Sequence, residues 1–241
     1  MAYELINSGS HQNDVALFRY KEHSKDYYLK VSLCNDANKV LEKEFEGYKW
    51  FSETIKKELC NVELIKKHFY ELKIPKYNGI KFPDNSTLDK NRVYVEKIIL
   101  FYKDRWPINE KFAVHGDLAL NNIIFSEKDI NIIDWEHFHL SEIQNYGVDI
   151  INMVFILLSN QVIKDFNLSY STLEFLKKCY RILLNGNDSM KIAGRPFCYA
   201  RQYIINNKHN YREGINIEEK FCITKFDERA LEKLDRHIVG Q

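Results

Sequence analysis

The residues best suited to chemistry lie close together: His115-Gly116-Asp117-Leu118-Ala119-Leu120-Asn121-Asn122, then Ile132-Ile133-Asp134-Trp135-Glu136. Asp117 and Asn122 stand five apart, and Asp134 ends an apolar run twelve residues further on. Two carboxylates and an amide oxygen are hard donors, which suit Mg²⁺ rather than Zn²⁺. Mg²⁺ takes few protein oxygens and completes its shell with water and phosphate. A solvated turn before a hairpin would also use Asp and Asn, for turn chemistry alone. Several independent positions agree with the metal-and-base pattern, and that combination carries more weight than His-Gly-Asp by itself.

The pattern resembles the catalytic loop of the aminoglycoside phosphotransferase and choline kinase-like superfamily, the small-molecule branch of the protein-kinase-like fold. That branch has His-Gly-Asp where protein kinases have His-Arg-Asp. The resemblance implies a role for each matching position. Asp117 would accept or orient the proton of an acceptor hydroxyl. Asn122 and Asp134 would hold Mg²⁺, and His115 would fix the loop through a backbone hydrogen bond. It also implies ATP as the phosphoryl donor. Asp149, in NYGVDIINMVF, resembles the buried Asp that braces the catalytic loop, although a carboxylate at a helix N-terminus would be favoured there in any case.

The resemblance extends upstream and covers about residues 1–155. Lys30 lies between Leu29 and Val31 in a strand, and alternation puts it on the opposite face from both. Residue type alone fits an exposed strand lysine. The family position implies a lysine on the α and β phosphates, oriented by a Glu six residues before a Trp. Glu44 lies six before Trp50 in EFEGYKWF, which favours it over Glu42 and Glu46. The turn 7–13 would be the nucleotide loop, with Ser8, Gly9 and Ser10 offering backbone N–H groups to phosphate. It has one glycine, and a plain hairpin turn explains it equally well. Asp134 is followed by Trp-Glu rather than Phe-Gly, and only fifteen residues separate it from Asp149. A peptide-docking activation segment hardly fits there, which favours a small-molecule acceptor.

Those residues need elements to position them, and the chain supplies a β-rich part followed by a helical part. Short strands are expected at Tyr3–Ile6, Val15–Tyr20 and Tyr27–Ser32, joined as an antiparallel meander by polar turns. A helix follows, capped by Asn35 or Asp36, with Leu41, Phe45, Tyr48, Phe51 and Ile55 on one face. Strands are expected near 70–74 and 79–82, a loop over 83–90 and a helix over 93–102. Three short strand pieces flank the loop at 115–122. Beyond Asn145 the pattern is helical, near 148–160, 170–184, 190–206 and 226–238. His137 and His139 read as exposed strand-end residues. The expected class is α+β: a protein-kinase-like two-lobed fold with an antiparallel β N-lobe over 1–84 and a mainly helical C-lobe over 85–241.

Composition narrows the partners. With 35 basic and 34 acidic residues among 241, the charge gives no general case for nucleic acid or membrane binding. The aromatic content of 14% suits a packed core. Cys34, Cys60, Cys179, Cys198 and Cys222 form no CxxC pair and read as reduced thiols of a cytoplasmic protein. The run Val148–Leu158 is too short to span a bilayer. Residues 160–241 hold 14 Lys/Arg against 10 Asp/Glu, a net of +4. That balance favours a neutral or anionic acceptor such as a sugar or glycan derivative, with Arg195 and Arg201 as candidates for an anionic group. The expected function is ATP- and Mg²⁺-dependent transfer of the γ-phosphoryl group to a small-molecule hydroxyl. The alternatives are a protein kinase, autophosphorylating or toxin-like, and a non-catalytic nucleotide-binding module.

Overall fold

A computed structural model describes residues 3–7, 14–108, 111–127, 129–161, 168–187, 189–211 and 215–240. In chain order the strands are β1 (Tyr3–Asn7), β2 (Val15–Glu22), β3 (Lys25–Ser32), β4 (Glu63–Ile65), β5 (Glu71–Pro75), β6 (Ile80–Lys81), β7 (Lys111–Val114), β8 (Ile123–Phe125), β9 (Ile130–Ile132) and β10 (His139–Glu142). The helices are α1 (Asn35–Trp50), α2 (Leu88–Arg105), α3 (Val148–Gln161), α4 (Tyr170–Leu184), α5 (Pro196–Asn206), α6 (Ile217–Lys220) and α7 (Glu228–Val239). The class is α+β. The chain forms two compact units: residues up to Ile80 with Ile124–His139, and Lys81–Ile123 with Leu140 onward. The segment bearing Asp134 thus groups with the first unit, an exchange that a single cut at 84/85 does not contain.

The first unit is built on a sheet of order β1-β2-β3-β5-β4. Its strands pair antiparallel, and Lys30 of β3 stands opposite Leu17 of β2 and Leu72 of β5. Helix α1 packs against β3, β4 and β5. Its buried stripe is Ala37, Leu41, Glu44, Gly47 and Tyr48, at the three- and four-residue spacing of one helix face. A carboxylate therefore sits on an otherwise apolar stripe. The helix begins after Cys34 with no side-chain cap, so Asn35 and Asp36 are first-turn residues rather than caps. It continues as a π-helical turn over Phe51–Lys56 and stops at Lys57, whose φ of 57° is left-handed. Phe51 and Ile55 stay buried through that turn, so the apolar face outlasts the regular helix. Trp135 is fully buried in this unit, with Trp50, Phe51 and Phe138 around its ring.

The second unit is helical around α3, where Val148, Met153 and Leu158 are fully buried. Tyr102 of α2 stacks on Trp106 at 4.6 Å, and Phe112 and Tyr146 close around it. Strands β7 and β10 form a two-stranded sheet. Asp235 of α7 accepts from the N–H groups of Phe197 (2.8 Å) and Cys198 (3.0 Å), which satisfies the open donors at the start of α5. Helix α2 begins at Leu88, inside the span expected as loop, and the stretch expected as one helix over 190–206 is a 3₁₀ turn, Lys191–Ala193, then α5 from Pro196. Among the described residues no helix is long and apolar enough to cross a membrane.

Candidate active site

In the first unit, strand alternation aims Lys30 toward α1, and helix spacing aims Glu44 back. Lys30 Nζ lies 2.8 Å from both Glu44 carboxylate oxygens. Glu42 pairs with Lys66 instead. Lys30 Nζ also lies 2.7 Å from Asp134 Oδ1, so one ammonium joins β3, α1 and the segment after β9. Glu44 is fully buried, while the Asp134 side chain keeps about a third of its surface exposed (36%). Burial alone would lower the Lys30 pKa, but the carboxylates of Asp134 and Glu44 hold it well above the ordinary lysine value. Burial lifts the Glu44 carboxyl to about 7 against the pull of Lys30, with Asp134 adding to the rise.

Two features of this cluster have no strong signal in the sequence. Tyr48, one turn after Glu44, accepts at its hydroxyl from the Asp134 N–H at 3.2 Å. Asp134 itself has a φ of 67°, a left-handed conformation that Asp tolerates better than most residues. The spacing of Glu44 and Tyr48 on one face could have suggested a shared target. His137 corrects the expectation of an exposed strand end: it is fully buried, with Nε2 3.2 Å from Glu136. His139 is half-buried, its Nδ1 2.8 Å from the His137 carbonyl oxygen.

In the second unit the loop after β7 is held by its backbone. The N–H groups of His115 and Gly116 donate to Asp149 at 2.8 and 3.1 Å. The Asp117 N–H donates to His115 Nδ1 at 3.2 Å, and the Asp117 carbonyl accepts from Asn122 Nδ2 at 3.0 Å. Gly116 has a φ of 84°, which only glycine adopts at little cost. The Asn122 amide thereby ties the end of the loop back to Asp117. The Asp117 carboxylate is ion-paired with Lys220 at 2.8 Å, a partner that nothing in the sequence pattern indicates. Arg195 and Arg201 are used structurally: Arg195 pairs with Glu232, and Arg201 donates to the Phe226 carbonyl at 3.2 Å.

The expected site residues therefore fall into two sets, Lys30, Glu44 and Asp134 in one unit and Asp117 and Asn122 in the other. Ser8, Gly9 and Ser10 lie outside the described residues.

No family model matches the chain, and no curated protein matches it. Solved structures do. One is a thermostable mutant of the aminoglycoside phosphotransferase APH(4)-Ia in ternary complex with AMP-PNP and hygromycin B: 10% identity, TM-score 0.49, 100% of this chain and 95% of that one. The amicoumacin kinase hAmiN in complex with AMP-PNP, Ca²⁺ and Ami gives 12% identity and TM-score 0.45 over 97% and 87%. A putative aminoglycoside phosphotransferase from Ralstonia eutropha gives 10% and 0.47 over 98% and 92%. Likeness at this level does not decide function, which is carried instead by the side chains just described.

Proposed function

We propose that the protein is a kinase with a protein-kinase-like fold, which moves the γ-phosphoryl group of ATP to a hydroxyl of a small molecule with Mg²⁺ as the metal. The observation that carries this is the Lys30–Glu44–Asp134 cluster: a half-buried ammonium, oriented by one buried carboxylate and touching a second, part-exposed one. A fixed ammonium of this kind suits the oxygens of a polyphosphate, because its orientation is settled before the ligand arrives. Asp134 and Asn122 each carry an oxygen donor of the kind Mg²⁺ prefers, and bound Mg²⁺ would neutralise phosphate charge.

Asp117 is the base in this scheme. The acceptor oxygen forms a bond to the γ-phosphorus. The bond from that phosphorus to the bridging oxygen breaks, its electron pair leaves with ADP, and the hydroxyl proton passes to Asp117. The bracing of His115 and Gly116 by Asp149, and of Asp117 by His115, supports this role, because a base must be held to a fraction of an ångström. The net charge of +4 over residues 160–241 supports a neutral or anionic acceptor, sugar-like or glycan-related. The cysteines, all free, suit a reducing cytoplasm.

Asp117→Asn should lower turnover by about 10²–10⁴-fold while ATP affinity holds, read by ADP release and by nucleotide titration. Turnover at the wild-type rate in that variant would sink the assignment.

A further inference from the structure

We infer that Lys220 is a positioning and specificity residue for the phosphoryl transfer: it aims the Asp117 carboxylate and places a fixed positive charge beside the acceptor hydroxyl. Acceptors with an ammonium next to the reacting hydroxyl are thereby rejected. This deepens the proposed function and rests on Asp117 being its base.

The backbone of Asp117 is already fixed. Its N–H bonds to His115, its carbonyl is held by Asn122, and the two preceding N–H groups are held by Asp149. What remains to be set is the rotation of its carboxylate, and Lys220 Nζ lies 2.8 Å from its Oδ2. The side chains are 27% and 12% exposed, so this pair is shielded from water in a way that surface pairs are not.

Lys220 is also well anchored. It ends α6, whose start is capped by Asn216 accepting from the Glu219 N–H at 3.3 Å. The next residue, Phe221, is 1% exposed in a cluster with Ile204, Tyr211 and Ile223. The Tyr211 ring meets the Phe221 ring edge-on at 5.1 Å. The buried Phe221 holds the Lys220 backbone in place, and the 2.8 Å pair with Asp117 holds its ammonium. An acceptor oxygen approaching Asp117 must pass close to that ammonium. Lys220 also cancels the Asp117 charge, so a second ammonium gains nothing from that carboxylate and meets the like charge of Lys220 beside it, whereas a neutral hydroxyl or an anionic neighbour does not.

The test is ADP release from ATP over matched acceptor sets: glucose, glucosamine and glucuronate, then galactose, galactosamine and galacturonate. Wild type, Lys220→Met, Lys220→Arg and Asp117→Asn are compared, with melting temperature and ATP affinity measured alongside. Wild type should favour the neutral or acidic member of a set over its amino member. Lys220→Met should lose about 10²-fold in kcat with the KM for ATP unchanged, and should narrow the gap to the amino sugar. Lys220→Arg should recover much of the rate. Wild-type kcat and acceptor ratios in Lys220→Met would overturn the role, as would a rate loss that only follows a lowered melting temperature. Wild type no more active than Asp117→Asn across the panel would count against the kinase function itself, and the Lys220 role would fall with it.

Discussion

Asp149 is 1% exposed, and its carboxylate accepts from two backbone N–H groups of the loop that carries Asp117. Burial lifts it from 3.8 to about 7, with the His115 and Gly116 donors pulling the other way. On folding, the carboxyl therefore takes up a proton between those two values. Its contribution to stability is present in full below pH 3.8 and is lost as the pH rises through about 7. Urea unfolding at pH 5, 6, 7 and 8 should show a falling component over that range, and Asp149→Asn should remove it. The amide would turn its N–H₂ toward one of the two backbone donors, so the variant should also be less stable by about 1–3 kcal/mol. An unchanged slope in the variant would show that Asp149 does not titrate there. Asp149 as a brace and Glu44 as the lysine partner were implied by the family resemblance, each through the short motif around it. The sequence could not point to Lys220, which reaches Asp117 from more than a hundred residues away.

At the scale of elements, α1 places three things at once: Glu44 for Lys30, Tyr48 for the Asp134 N–H, and a gap at Gly47 for Trp135. A Cβ on Gly47 would stand 2.5 Å from Trp135 Cβ and 2.8 Å from its Cγ. Trp135 is fully buried and cannot swing aside. Two effects oppose each other in Gly47→Ala. Helix propensity favours alanine by about 1 kcal/mol, whereas overpacking a core contact costs about 1–3 kcal/mol. The clash should win, and chemical denaturation should show a net loss. Because Trp135 follows Asp134 directly, nucleotide affinity should fall as well. A variant as stable as wild type would mean that the segment moves freely against α1. Periodicity showed that this helix exists, but the glycine read as an ordinary weak position until its neighbour was known.

At the scale of the molecule, a ligand that binds only the folded chain should register as global stability. At a hundredfold excess over Kd, Mg·ATP should stabilise the folded protein by about 2.7 kcal/mol. That corresponds to a rise in melting temperature of roughly 5–10 °C for a chain of this size. Asp134→Ala should abolish the Mg²⁺-dependent part. No shift with ATP, ADP or GTP in the wild type would refute a nucleotide site. The near balance of 35 basic and 34 acidic residues leaves little long-range field to gather ligands, so affinity must come from the local cluster.

The sequence by itself indicated the order of β-rich and helical parts, the Asp117–Asn122 loop and the Lys30–Glu44 pairing, and it offered oxygen donors as the proposed chemistry. The order of parts follows from local periodicity, the donor types from the residues of one loop, and the Lys30–Glu44 pairing from the family resemblance, all of which survive in one dimension. Tertiary structure alone decided which side chains the motif residues touch. Tyr48 under Asp134, Trp135 over Gly47, buried His137 and Lys220 on Asp117 are long-range packing or burial outcomes. Short elements such as β4, β10 and α6 were likewise set by partners rather than propensity, because three or four residues carry too little pattern to declare themselves. Contact between distant residues depends on how whole elements fill space, and no spacing in the chain records it.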